Sequence, residues 1–223
     1  PPLQADDAVG EMHHAIESLA TALEHVRPKH VLAISDYGAH IGAGVGMPSL
    51  FHALEQRLRR LAMPKVFLRS AEHMEGWGAL IPVAIATGAL PSLHHPVGKR
   101  FPTVSAQDVG VIAAELLLHP NINAREQIVH AEGPQRYSAA EVAAALSQIL
   151  GRTINAVPLP RAQWQESLER GLSPSLTSLL INLYDAHNQG ELIDIEPNGK
   201  VRYGNTDMID ALRPLVRAAL NAH

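Results

Sequence analysis

The feature that most constrains the fold is a strand, a loop, a helix and a second strand between residues 30 and 74. An apolar run at residues 31–34 precedes small and polar residues at 35–39, and residues 49–61 carry leucines at helical spacing. A second apolar run, residues 65–68, precedes the mostly polar residues 69–74. This order predicts a crossover unit of a parallel sheet. Because ligands bind beyond the carboxyl ends of such strands, we expect one near residues 35–39 and 69–74.

Composition narrows the class of protein. The 223 residues, 46% of them apolar, suffice for one large domain or for one domain with a small lobe. The formal net charge of −4 gives no basic surface for nucleic acid, and the absence of cysteine excludes disulfides and Cys-ligated metals. No apolar run is long enough for a membrane span, and no signal peptide opens the chain. We therefore expect a cytoplasmic protein that binds neither nucleic acid nor a membrane.

Several further elements are predicted from local signals. Residues 8–26 have one apolar face, and Asp6 or Asp7 precedes them as an N-cap. Ser138 and Glu141 match a capping box, and Gly151 ends the helix that they begin. Residues 92–102 are typical of a loop. From residue 161 onward the pattern is mainly helical, with a short extended piece at residues 192–195.

The cluster after the first strand has two interpretations. The hydroxyl groups of Ser35 and Tyr37 are suited to hold a ribose, a nicotinamide or a carbonyl oxygen, whereas Ser35 could instead satisfy the loop backbone. Glycines follow at positions 38, 42, 44 and 46. Their spacing does not give G-x-G-x-x-G between a strand and a helix, which favours a mobile substrate-side loop over a phosphate cradle.

His52 and Glu55 lie three residues apart near a helix start, a spacing that suits a proton relay. Helix counting places His52 opposite the leucine stripe, so a solvated histidine is the alternative. Glu55 and Arg59 are spaced for an i,i+4 ion pair on the outer side of this helix.

The segment after the second strand also has two interpretations. The free backbone groups of residues 69–74 are suited to bind an amide such as a nicotinamide carboxamide, with His73, Met74 and Trp77 lining an adjacent substrate pocket. The alternative is an ordinary helix entry with Met74 and Trp77 in the core.

Other chemistries lack sequence support. The 13 histidines include the adjacent pair His94 and His95, but there is no H-E-x-x-H and no dense His/Asp/Glu group, so we expect no metal site. Neither a G-x-S-x-G elbow nor a P-loop is present, which leaves hydrolase and nucleoside-triphosphatase functions unsupported.

Three segments, residues 33–39, 54–59 and 67–75, resemble the NmrA-like branch of the atypical short-chain dehydrogenase/reductases. The likeness continues through residues 103–110 and 128–134, and it covers most of residues 1–165. It implies a partial NAD(P)-binding Rossmann-like domain with a parallel sheet at residues 1–150. Residues 151–223 would form a smaller, mostly helical substrate-side lobe, with an approximate boundary and interleaved lobes.

The resemblance also implies a site for NADP or NAD. Pro1 and Pro2 would follow the fourth strand of the complete sheet, and His52 would take the place of a lysine or histidine that related members carry near the cofactor. The residues implied in cofactor binding are Pro2, Ser35, Asp36, Tyr37, Gly38, His52, Ser70, Ala71 and Glu72.

The chain departs from the family pattern in two ways. The Gly-rich fingerprint of the family lies in its first strand–helix turn, and this chain has no such region, so we expect the pyrophosphate and adenosine half-sites outside the residues given. The Tyr-x-x-x-Lys pair of catalytic members is also missing, because residues 47–52 contain neither tyrosine nor lysine.

Three functions remain open. The first is an NAD(P)H-dependent oxidoreductase that transfers hydride to a quinone or other small carbonyl compound, with Tyr37 and His52 as the catalytic candidates. The second is a non-catalytic NAD(P)H redox sensor, and the third is a structural module with a vestigial site. A homodimer is one oligomeric state open to each of them.

Overall fold

A computed structural model of the chain describes residues 2–121, 124–190, 193–196 and 199–221. The polypeptide has the α/β fold that the sequence predicts. The strands are β1 (Val31–Asp36), β2 (Lys65–Ser70), β3 (Glu72–His73), β4 (Ala89–Ser92), β5 (Thr103–Val104), β6 (Glu126–Glu132), β7 (Asn155–Pro158) and β8 (Lys200–Tyr203). The α-helices are α1 (Ala8–Val26), α2 (Met47–Arg59), α3 (Ile81–Thr87), α4 (Ala106–Leu118), α5 (Ala139–Leu150), α6 (Trp164–Glu169), α7 (Pro174–Asn188) and α8 (Met208–Asn221). Two 3₁₀ helices span Met74–Leu80 and Arg161–Gln163.

The main sheet has the strand order β1-β2-β6-β8. Strands β2 and β6 run parallel, because Lys65 N–H donates to Arg125 O at one end and Ala71 N–H donates to Ala131 O at the other. Every residue of β2 is buried, as expected for an inner strand of a parallel sheet. Two short parallel ladders, β3–β5 and β4–β7, lie outside this sheet.

The chain divides into two compact units that interleave along the sequence. The first comprises residues 1–69, 113–130 and 162–200. One of its hydrophobic clusters joins α1 and α2 to the sheet through Ile16, Leu54, Leu58 and Phe67. A second cluster packs α7 against the start of α1 and α2, with Leu50, Leu176 and Leu179 as its large members.

The second unit comprises residues 70–112, 131–161 and 201–223. Its core is formed by the Met74–Leu80 helix, α3, α5 and α8. Among the core residues, Met74, Leu90, Leu146 and Leu212 have no exposed surface. The second unit thus has a hydrophobic core of its own, separate from the clusters of the first.

The helix signals of the sequence are confirmed. Asp7 accepts the Gly10 N–H at 2.8 Å, and α1 has the predicted bounds. Ser138 and Glu141 form the reciprocal capping box of α5, and Gly151 ends it in the left-handed conformation. No helix in the described ranges is both long and apolar enough to cross a membrane.

Two strand predictions need correction. Strand β4 occupies residues that were predicted to close a helix, and its backbone pairs with β7 from residue 89 to 92. The extended piece predicted at residues 192–195 is not a strand over residues 193–195, and the strand lies instead at Lys200–Tyr203. Leu192 and Pro1, on which two predictions fell, lie outside the described residues.

Candidate functional site

The carboxyl end of β1 is tied down by its own polar residues. Ser35 is buried, and its hydroxyl donates to Glu55 Oε1 at 2.7 Å. Asp36 Oδ1 accepts the Gly38 N–H at 3.2 Å and so closes the turn that follows the strand. Pro2 is exposed, and its carbonyl accepts the Ala5 N–H at 3.1 Å. Ser35 therefore satisfies a buried carboxylate, which neither of its two predicted roles included.

Below this turn lies a buried ion pair between α2 and β2. Arg69 donates from Nε and Nη2 to the two oxygens of Glu55 at 2.9 and 2.8 Å. Burial acts to raise the pKa of Glu55, but hydrogen bonds from Arg69 and Ser35 outweigh it and hold the pKa below its usual value. Glu196 adds a second carboxylate, 3.1 Å from Arg69 Nη1. This arrangement fixes α2 against the sheet through charge-assisted hydrogen bonds.

Two predictions about Glu55 therefore need revision. The ion pair with Arg59 forms, at 3.1 Å, but the Glu55 side chain has no exposed surface, so its predicted place on the outer side of the helix is wrong. The predicted relay from His52 to Glu55 has no support in the described part of the chain, since Glu55 is bonded to Ser35, Arg59 and Arg69.

His52 is half-buried and holds the glycine-rich loop. Its Nδ1 lies 2.8 Å from Ala39 O, and its Nε2 lies 3.3 Å from Gln56 Nε2. Because a carbonyl can only accept, Nδ1 carries a proton, and the ring has a fixed orientation. The catalytic role assigned to His52 stays a prediction.

Tyr37 is buried beside a histidine that sequence analysis did not single out. The rings of Tyr37 and His130 lie edge to face, with centroids 5.0 Å apart and planes at 80°. His130 has no exposed surface, and within the described ranges neither of its ring nitrogens has a hydrogen-bond partner of good geometry. Nothing in the apolar run of β6 distinguishes this histidine from an ordinary core residue.

The surroundings of His130 disfavour its charged form. Burial and then the Arg69 charge lower its pKa, His40 acts in the same direction, and Glu196 and the Lys200 backbone oppose them. An imidazole held neutral in this way makes the folded chain sensitive to acid.

We expect this histidine to make stability fall as the pH falls. The folded-state pKa of His130 lies below the unfolded value of about 6.5, so its contribution is complete above that pH and is lost below it, by at most about 1.4 kcal/mol per pH unit. Urea unfolding between pH 7.5 and 5 should show His130→Leu with a flatter profile than the unsubstituted chain. The exposed His25→Gln is the control, and an equally steep profile in His130→Leu would contradict the assignment.

The predicted amide-binding segment lies at the start of the second unit. Ser70 donates its hydroxyl proton to Ala71 O at 3.0 Å and lies 2.9 Å from His73 Nε2, which makes that nitrogen the donor. His73 is exposed, whereas Met74 and Trp77 belong to the core of the unit. The interpretation of a helix entry with Met74 and Trp77 in the core thus describes their packing, and the substrate-pocket role stays a prediction.

Sequence analysis also missed the partner of Glu72. His94 is buried, and its Nε2 lies 3.0 Å from Glu72 Oε2. Within the described ranges, no three His, Cys, Asp or Glu side chains group closely enough to hold a metal ion. The only sequence signal for His94 was its adjacency to His95, and that signal says nothing about a carboxylate 22 residues away.

The fold is that of the Rossmann-like NAD(P)-binding proteins, which include NmrA-like reductases and regulators. Similarity is clear at this level, although no family model matches the chain. The chain has a TM-score of 0.69 and 16% identity with the NADPH-dependent quinone oxidoreductase of Escherichia coli, covering 93% of this chain and 72% of that one. With NmrA, a negative transcriptional regulator solved in complex with NAD, the TM-score is 0.63, at 16% identity and over 93% and 70% of the two chains. These likenesses confirm the predicted fold.

One curated relative is similar in sequence. The chain is 26% identical over 169 residues to an NAD(P)H azoreductase of Xenophilus azovorans. The match covers 75% of this chain but only 57% of that enzyme. The chain thus spans a little more than half the length of this relative.

Proposed function

We propose that this chain belongs to an NAD(P)H-dependent oxidoreductase that reduces a quinone or another small carbonyl compound. The observation that carries the proposal is the sequence match to an NAD(P)H azoreductase, which extends over three quarters of the chain. The fold shared with a quinone oxidoreductase supports it. Both proteins are reductases by name, and their acceptors are small molecules with a polarised double bond.

The residues beside each strand end suit the nicotinamide half of NADP or NAD. Ser35 and Asp36 already bind groups of the chain itself, so we assign contact in the first unit to the Tyr37 side chain, the Gly38 backbone and His52. In the second unit we assign it to the backbone of residues 70–72. When bound, a reduced nicotinamide supplies hydride, and the protein supplies orientation and protons.

In this proposal Tyr37 orients the acceptor or donates a proton to it. We expect Tyr37→Phe to lower kcat by about 10²-fold, because general acid catalysis by a positioned group contributes about 10²–10⁴-fold. The edge-to-face contact with His130 uses the ring and survives the substitution, so the fold should be preserved. NADPH oxidation with a quinone gives the measurement, and unchanged kcat and cofactor affinity would remove Tyr37 from the site.

A second function has its own support. NmrA, with the same fold, is a negative transcriptional regulator. Where catalytic relatives carry Tyr-x-x-x-Lys, this chain has Pro48 and His52. A redox sensor would bind NADPH and NADH with different affinities without turning either over.

Calorimetric titration of NADPH and NADH, followed by turnover with a panel of quinones, tests the proposal. We expect binding of at least one dinucleotide and its oxidation by a quinone. Binding without turnover under any acceptor would favour the sensor. Failure to bind either dinucleotide would overturn both functions for this chain.

A further inference from the structure

The pair Glu72–His94 in the second unit has features that a structural ion pair does not need. Glu72 follows the carboxyl end of β2, and the ladder to Thr103 sets its backbone direction. Its carboxylate meets His94 Nε2 at 3.0 Å. The side chain of Glu72 is 22% exposed and that of His94 only 4%. The carboxylate therefore faces outward with the imidazole behind it.

The imidazole is held in one orientation. Its ring stacks on Phe101, with centroids 3.6 Å apart and planes at 15°. The Ser92 hydroxyl accepts the His94 N–H at 3.0 Å and donates to His94 O at 3.2 Å, which fixes the backbone on both sides. Because ring and backbone are both constrained, Nε2 keeps its direction toward the carboxylate.

The neighbouring histidine shows what a purely structural role looks like. His95 Nε2 lies 3.1 Å from the backbone carbonyl of Leu159, a group that cannot take up a proton at ordinary pH. His94 instead faces a carboxylate, and two such groups exchange a proton and titrate as a coupled pair. The other titratable side chains nearby on the chain are engaged elsewhere, since His73 contacts Ser70 and Glu75 accepts from Ser105.

We propose that Glu72 and His94 supply the proton that the reduction consumes. The inference rests on the proposed function. Reduction of a quinone takes up a hydride, which brings two electrons from the reduced dinucleotide, and one proton, which completes the second hydroxyl group of the hydroquinone. Glu72 is the outward-facing group that delivers this proton. His94 is the positioning residue that orients the carboxylate and returns a proton to it from the solvent.

Three variants test this assignment with NADPH and a quinone. We expect Glu72→Gln to lower kcat by about 10²-fold and to flatten its pH profile, because the amide cannot donate as an acid. His94→Gln should move the pH profile and lower kcat less, with KM nearly unchanged. The matched control His95→Gln should lose stability but keep the kcat and pH profile of the unsubstituted chain. Identical pH profiles in the Glu72 and unsubstituted chains would overturn the proposal.

A readout independent of turnover covers variants that fail to fold. Ring ¹⁵N shifts of His94 in the unsubstituted chain should show a protonated Nε2 at neutral pH, and an unprotonated Nε2 would overturn the pair. The two failures are distinguishable. An unsubstituted chain that oxidises no NADPH removes the proposed function and this role with it, whereas an active chain with unaffected variants removes only the role of Glu72 and His94.

Discussion

Replacing Glu55 with glutamine should lower the free energy of unfolding by about 3–5 kcal/mol, the cost of removing one partner of a buried ion pair. Arg69 donates to both oxygens of Glu55, at 2.9 and 2.8 Å, and both side chains are almost fully buried. Glutamine offers one acceptor and places an NH₂ group against the guanidinium. The Arg69 charge would thus stay buried with only Glu196, which is 28% exposed, to balance it. Against a typical total stability of about 5–15 kcal/mol, this loss is large.

Urea unfolding at pH 7 gives the measurement, and the chain offers a matched control. Glu166 and Arg170 form an exposed ion pair at 3.1 Å, with side chains 80% and 75% exposed. Glu166→Gln should change the free energy of unfolding by less than about 1 kcal/mol. Arg69→Gln should be nearly as costly as Glu55→Gln, and the double variant should lose less than the sum of the two. Equal effects at Glu55 and Glu166 would contradict the ion pair.

Gly46→Ala should lower the free energy of unfolding by about 3 kcal/mol or more. Gly46 precedes α2 with φ 70° and ψ −127°, a conformation that costs other residues about 1–3 kcal/mol. A Cβ atom here would also overlap the Leu179 carbonyl oxygen and lie 2.9 Å from Leu183 N, both in the backbone of α7. A helix backbone cannot yield as a side chain does, so overpacking adds about 1–3 kcal/mol.

Gly44→Ala separates the two costs. Gly44 lies in the same loop with φ 83°, and a Cβ atom there would have no heavy atom within 4 Å. This variant should lose only about 1–2 kcal/mol, the conformational part. Similar losses in both variants, measured by urea unfolding, would show that the packing of the loop on α7 is unimportant. The expected difference would mean that the loop, predicted from its glycines to be mobile, is fixed at its carboxyl end.

The sequence by itself determined the elements whose signals are local. The period of apolar residues placed α1 at its observed bounds, and the side chain of Asp7 caps it. The Ser138 and Glu141 capping box acts within one turn, so it could be read without knowledge of any partner. Strand β4 was missed because its four residues carry no alternation, and β8 because its mixed residues Lys200–Tyr203 gain their hydrogen bonds from a distant strand.

Tertiary structure decided how the polar residues of the candidate site are used. Helix periodicity placed Glu55 on a polar face. Ser35 and Arg69, which lie 20 and 14 residues away in sequence, make that face a buried one. His130 and His94 gave no local signal, because their roles depend on Tyr37 and Glu72, which come from other elements. A capping pair is close along the chain in any conformation, whereas a buried charge finds its partner only when the strands assemble.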